Sequence, residues 1–282
     1  MNGIEAVEFA KRLEKDHLLH SAWIEISRPN IIYNWQEIGR LVGPNITVIP
    51  MLKANAYGHG AIEAGQVLQK NGAQYMGVSS LREAVDLRAH SITTPLLVTD
   101  YVLPDELSYA LDPRINATLT ISHPDMLTPI QQIAKGLGIR ARVHIFVNTG
   151  MNREGVFPQE AVDLVHQIHQ SSDIDLEGIM THLAEPTNTT KKNPVGEQLR
   201  VFNQTLDAIE ALCIPLPPYI HAAEGASVMR FPETYSGRFT AIRPGNILYG
   251  IIPGGEDFLQ FLQFTPRQVL HALKARLANV KK

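Results

Sequence analysis

The sequence predicts an α/β fold, a (β/α)8 barrel, and three observations carry that prediction. From about residue 46 to residue 252, short apolar runs of strand length alternate with stretches of helical spacing. Alternation on this scale implies a parallel sheet covered by helices. Eight such runs fit into that span, as a closed barrel requires. No G-x-G-x-x-G turn follows any of them, which disfavours a doubly wound open sheet.

Taken in order, Met1–His20 places Ile4, Val7, Phe9, Leu13 and Leu18 on one face of an amphipathic helix, an N-terminal extension over residues 1–20. Ser21–Ile26 alternates like a strand and begins the segment 21–252 expected to hold the barrel. Barrel strands are expected at Thr47–Leu52, Gln74–Val78, Pro95–Thr99, Ile115–Leu119, Ala141–Val147, Leu176–Thr181, Tyr219–Ala223 and Ala241–Ile251. Helices are expected at Ala61–Lys70, Leu81–Ala89, Pro104–Leu111, His123–Lys135, Pro158–His169 and Gly196–Leu212. Pro104 and Pro158 supply helix-entry chemistry, because the missing N–H is one that the first turn leaves unbonded anyway. Leu273–Val280 alternates again, so residues 253–282 read as the first strands of a second, β-rich domain. Two isolated strands are at best a marginal sheet in water.

Composition narrows the function. A hydrophobic fraction of 44% supports a sizeable core, and a net charge of −3 leaves no basic footprint for nucleic acid. No apolar run reaches the roughly 18–20 residues that span a bilayer, and the N-terminus has no signal-peptide core. The single cysteine, Cys213, cannot form an internal disulfide, which suits the cytoplasm. It is expected to fill core space near a helix end. His166 and His169 lie three apart on a helix, but no Cys, Asp or Glu completes a ligand set. They read as a solvated face, and no metal site is expected.

In a barrel, function gathers where strands end at the C-terminal face. The polar residues at such ends are Lys53, Asn148, His182, Glu224 and Arg243. Lys53 stands out. It follows the apolar run Ile46-Thr-Val-Ile-Pro-Met-Leu52, and buried strands rarely carry a lysine unless it is paired. A lysine held there is a candidate for imine chemistry, since burial frees the amine. It could instead close the strand and reach solvent.

The segment Lys53-Ala-Asn-Ala-Tyr57-Gly-His59-Gly60 resembles the cofactor-lysine signature of the alanine racemases, pyridoxal-phosphate enzymes with an N-terminal barrel and a C-terminal β domain. Further motifs follow in the same order: Asn148-Thr-Gly-Met-Asn-Arg153-Glu-Gly155, Thr181-His182, His221-Ala-Ala-Glu224-Gly225-Ala-Ser227, and Ile242-Arg243-Pro-Gly245-Asn246-Ile-Leu-Tyr249-Gly250. The likeness runs from about residue 21 to residue 282.

The resemblance implies roles residue by residue. Lys53 would carry pyridoxal 5′-phosphate through its amine and act as the base on the D face of alanine. Tyr57 would hydrogen-bond the phosphate, and Gly245 and Asn246 would offer it backbone N–H groups. Arg153 would sit beside the cofactor phenolate oxygen. Arg243 would face the pyridine nitrogen, supported by His221, with His182 in the same network. The implied activity is the interconversion of L- and D-alanine, supplying D-alanine for peptidoglycan. The implied partners are a small amino-acid substrate and, in a complete enzyme, a second copy of the chain in a homodimer. Neither nucleic acid nor membrane is expected.

Three departures stand beside this likeness. The domain that normally supplies the second base, a tyrosine for the neighbouring subunit, is not recognised, and Tyr249 sits too deep in the last strand pattern to replace it. Glu224-Gly225 stands where the family has an asparagine and a serine near the phosphate. Gly225 keeps a backbone N–H but loses the hydroxyl. Phe146 replaces a lysine, often carbamylated, that helps position Arg153. These departures leave open a catalytically incomplete cofactor-binding barrel, or a protein similar to the single-domain pyridoxal-phosphate homeostasis proteins.

Overall fold

The computed structural model describes residues 8–9, 21–190 and 192–277. Apart from Glu8 and Phe9, the expected helix over residues 1–20 lies outside the described residues, as does the end of the strand expected at 273–280.

Eight parallel strands build the core: β2 (Thr47–Val48), β3 (Met76–Val78), β4 (Leu96–Val98), β5 (Ala117–Ile121), β6 (Ala141–Phe146), β7 (Ile174–Met180), β8 (Tyr219–Glu224) and β9 (Ala241–Arg243). Their order is β2-β9-β8-β7-β6-β5-β4-β3. The ring closes just past β2. Met51 bridges Gly77, Leu52 N–H donates to the Gly77 carbonyl at 2.7 Å, and Gly77 N–H donates to the Pro50 carbonyl at 2.9 Å. The expected barrel is therefore the observed fold.

The strands are buried on both faces, as a parallel sheet under helices must be. Val78, Val98, Leu119, Val143, Ile145 and Ile242 belong to the shell packed against the helices. Ile49, Tyr75, Leu97, Phe146 and Met180 form a separate interior cluster. Gly77 leaves room inside for Met51, whose sulfur lies 2.3 Å from where a Cβ on Gly77 would stand. Helices cover the outside: α1 (Arg28–Val42), α2 (Ala61–Lys70), α3 (Leu81–Ala89), the single turn α4 (Leu107–Ala110), α5 (Leu127–Leu137), α6 (Pro158–His169) and α7 (Val195–Ala211). A short α8 (Gly225–Arg230) follows β8 directly.

Several expectations need correction. Helix α1 was not foreseen. Its entry chemistry is ordinary, with Ser27 accepting from Asn30 N–H and Pro29 in the first turn. Its core face, however, mixes Ile31 and Ile38 with a buried Asn34, which donates to the carbonyls of Leu248 and Arg267. The strand expected at Ala241–Ile251 stops at Arg243. Pro244 has no N–H for a ladder, and residues Asn246–Tyr249 coil into a 3-10 turn. Cys213 is exposed, not core. It takes a left-handed conformation, φ 56°, two residues after α7 ends.

Outside the barrel, β1 (Ala22–Ile26) and β10 (Leu270–Ala275) pair antiparallel in their own two-stranded sheet. Glu25 and Lys274 form an ion pair across it at 2.6 Å. The connecting segment from β9 is not separate from the barrel, since Phe258 and Val269 are fully buried in its outer shell. Among the described residues, no helix is long and apolar enough to cross a membrane.

Candidate active site

The C-terminal ends of the strands surround a cavity of about 420 Å³. That is enough for a small ligand or cofactor. Among the residues predicted for the site, Lys53, Tyr57, Arg153, His182, Arg243, Gly245 and Asn246 line it. His221 does not line it but touches Arg243. Gly225 is not among the lining residues, and a Cβ there would stand 3.0 Å from Ile247 Cγ2.

Lys53 is half-buried at the start of an unusual turn. Ala54, Asn55, Ala56 and Tyr57 all take left-handed backbone angles, with φ of 51°, 53°, 54° and 54°. Such conformations cost roughly 1–2 kcal/mol for each residue other than glycine, so neighbouring groups must hold them. Glu83, in the first turn of α3, accepts from Ala54 N–H at 2.7 Å with one carboxylate oxygen. Its other oxygen accepts from Ser79 N–H and Ser79 Oγ. The Asn55 side chain accepts from Ala61 N–H at 2.8 Å, and Gly58, φ 86°, ends the turn. In sequence, Glu83 three residues after Ser80 looks like a simple capping box; its tie to the lysine loop had no local signal.

Arg243 is buried at the end of β9, and both terminal nitrogens of its guanidinium have acceptors. It donates to the Thr181 carbonyl at 2.6 Å, to the His221 carbonyl at 3.2 Å and to His221 Nδ1. A guanidinium can only donate, so His221 Nδ1 must accept. His221 Nε2 then carries the hydrogen and donates to His144 Nδ1 at 2.9 Å. His144 holds its own hydrogen on Nε2, which has no hydrogen-bond partner. Both rings are completely buried and neutral. Burial first, then the Arg243 charge, lowers His144 to about 3 and His221 well below its ordinary value. Arg243 itself is lowered to about 10, mainly by burial, so it stays charged at neutral pH.

The sequence pointed to His182 as a member of this network, but the structure puts His144 there. His182 lines the cavity, with its imidazole lowered to about 3 by burial and by the Arg243, Arg153 and Lys53 charges. His144 was detectable in principle, because Arg142, His144 and Phe146 alternate along β6 on one face. Gly178 makes space for its ring, since a Cβ there would come within 2.6 Å of it.

At the other end, Tyr57 packs its hydroxyl over Gly245, where a Cβ would lie 2.0 Å from Tyr57 Oη. Neither the Tyr57 hydroxyl nor the N–H groups of Gly245 and Asn246 have a protein partner among the described residues. Burial, then the Glu224 and Glu83 charges, raise Tyr57 to about 12, so it remains a donor. The Lys53 amine likewise has no hydrogen bond or ion pair there. Arg153 pairs with Glu154 at 3.2 Å. Its loop is shaped by Asn148, whose side chain accepts from the N–H groups of Gly150 and Asn152. Phe146 is buried and lines the cavity beside Arg153. Tyr249 is fully buried and donates to the Met51 carbonyl at 2.9 Å, so it does not reach the cavity.

Comparison with known proteins agrees with this geometry. Residues 26–253 match the family described as alanine racemase, N-terminal domain. The chain is 37% identical over 261 residues to alanine racemase of Desulforamulus reducens, covering 92% of this chain and 68% of that protein. It is 34% identical to alanine racemase of Methanococcus maripaludis, covering 93% of this chain and 68% of that one. Among solved structures, alanine racemase of Clostridium difficile 630 in complex with cycloserine superposes with a TM-score of 0.86 at 29% identity, covering 93% of this chain and 70% of that one. By sequence and by fold alike, the chain belongs to the alanine racemase family.

Proposed function

We propose that the chain is a pyridoxal-phosphate-dependent racemase that interconverts L- and D-alanine, working in the cytoplasm as a homodimer and supplying D-alanine for peptidoglycan. The observation that carries this reading is the set of unmatched donors in one cavity: the Lys53 amine, the Tyr57 hydroxyl, and the N–H groups of Gly245 and Asn246, with the charged Arg243 beside them.

These groups fit the cofactor at both ends. Tyr57, Gly245 and Asn246 are donors with no acceptor in the protein, gathered where the lack of a side chain at Gly245 opens a cradle. They would hold the phosphate. Lys53 would bind the aldehyde, Arg153 the phenolate oxygen and Arg243 the ring nitrogen. The cofactor would supply the electron sink without which an amino acid does not release its α-proton. Arg243, held as a cation by its acceptors, offers a hydrogen bond and keeps its own proton. Lys53 is placed to take or return a proton at Cα on one face of the substrate. His182, neutral at every ordinary pH, adds no charge to the cavity. Phe146, Met180 and Leu183 supply apolar wall to the cavity.

Racemisation requires an acid–base group on each face of the substrate, within hydrogen-bond reach. Among the described residues, Tyr57 is the only tyrosine lining the cavity, and it is taken up at the phosphate end. The tyrosine that the resemblance implies as the second base therefore comes from the partner subunit in this proposal. A second reading, a cofactor-binding barrel that moves protons on one face only, is favoured by that same observation. Incubation with pyridoxal phosphate and alanine in deuterium oxide separates the two. Deuterated D-alanine formed from L-alanine supports racemisation. Exchange in D-alanine alone, with no inversion, supports the second reading. If neither exchange nor inversion occurs, both fall.

A further inference from the structure

The cradle at the phosphate end contains a carboxylate. Glu224, the last residue of β8, stands opposite Arg243 in the β8–β9 ladder and lines the cavity with Tyr57, Gly245 and Asn246. It is not free to move away. Its Oε2 accepts from Ala226 N–H at 2.9 Å, and its Oε1 accepts from Ser227 N–H at 2.9 Å and from Ser227 Oγ at 3.1 Å. Its charge is felt at both neighbouring groups, raising Tyr57 and partly offsetting the lowering of Arg243.

We propose that Glu224 is a specificity-determining residue that selects against the phosphate of the cofactor, so that this site distinguishes poorly between pyridoxal phosphate and pyridoxal. The inference rests on the placement of the phosphate proposed above. A phosphate at Tyr57, Gly245 and Asn246 is anionic, and a fixed carboxylate lining the same cavity repels it. Juxtaposed like charges weaken binding substantially when neither can turn away. The donors that pin Glu224 are also those that would otherwise be left without an acceptor, so the helix start holds the charge in place. The aldehyde and ring of pyridoxal carry no such charge and meet no such penalty.

The test uses the full chain and four proteins: wild type, Glu224→Gln, Glu224→Asn and Lys53→Ala. Glutamine keeps the acceptor oxygen and removes the charge. Asparagine is among the best helix caps, so the pair separates capping from charge. Binding of pyridoxal phosphate and of pyridoxal is followed separately by the absorbance change on adding each to the protein. We expect both Glu224 variants to bind pyridoxal phosphate roughly 10- to 100-fold more tightly than wild type. Pyridoxal binding should change less than about twofold. An unchanged affinity ratio between the two aldehydes, with binding intact, overturns the inference alone. Absence of binding in every protein, or binding that survives Lys53→Ala unaltered, overturns the proposed function and this inference together.

Discussion

The two ends of the barrel interior use the same kinds of residue to opposite effect. At the N-terminal end, Glu177 accepts from Tyr75 Oη at 3.1 Å and from Thr118 Oγ1 at 2.8 Å, and lies 3.5 Å from Arg142. Arg142 also donates to the side chain and carbonyl of Asn116. Tyr75, Thr118 and Arg142 each have an acceptor within the protein. At the C-terminal end, Lys53, Tyr57, Gly245 and Asn246 have none. Buried polar groups are costly when unmatched, so a closed network is a structural element and an open one waits for a guest. The difference between floor and rim lies in completed pairing, not in composition.

The contrast is broken most directly at Lys53. Lys53→Ala should reduce alanine racemisation by at least about a thousand-fold, while the thermal midpoint stays close to wild type because no protein contact of the amine is lost. A large drop in the midpoint would show that the lysine is structural after all. Next, Glu177→Ala should destabilise the fold by about 3 kcal/mol, because it leaves Arg142, Tyr75 and Thr118 without their shared acceptor. Urea unfolding measures this, and racemisation per folded molecule should hold steady; an effect confined to activity would erase the distinction between floor and rim. Tyr57→Phe is the converse, with stability unchanged within about 0.5 kcal/mol. Cofactor affinity should fall roughly 10- to 100-fold for loss of one hydrogen bond to a charged group, as read by a binding titration.

A further effect is graded with pH. His144 and His221 are neutral in the fold, with His144 lowered to about 3. In the unfolded chain they take up protons near pH 6.5. The unfolded state therefore binds more protons as pH falls, and stability is lost below about 6.5. The slope is about 1.4 kcal/mol per pH unit for each histidine. Urea unfolding at pH 7 and pH 5 would expose it, and equal stability at the two values would sink the neutral-relay assignment.

Much of this was legible in the chain. The apolar runs that became β3 to β8 were readable because a strand buried on both faces cannot hide its composition. Helices α2, α3 and α6 were readable from their spacing. Helix α1 was not, because the buried Asn34 interrupts its apolar stripe and finds its partners more than 200 residues away. Lys53 and Arg243 were found at strand ends, but His144 needed the barrel register that brings β6 within reach of β8 across β7. The role of Glu83 was concealed by its resemblance to a local cap. The left-handed turn had no signal at all, since alanine favours the opposite hand.

That turn has a consequence for chemical synthesis. Ala54 and Ala56 occupy the region of backbone space that is natural to mirror-image residues. Semisynthetic protein carrying D-alanine at both positions should relieve roughly 1–2 kcal/mol of strain at each, and its unfolding midpoint in urea should rise accordingly. A loop that anchors the proposed racemisation lysine would thus be more at ease built from the enantiomer.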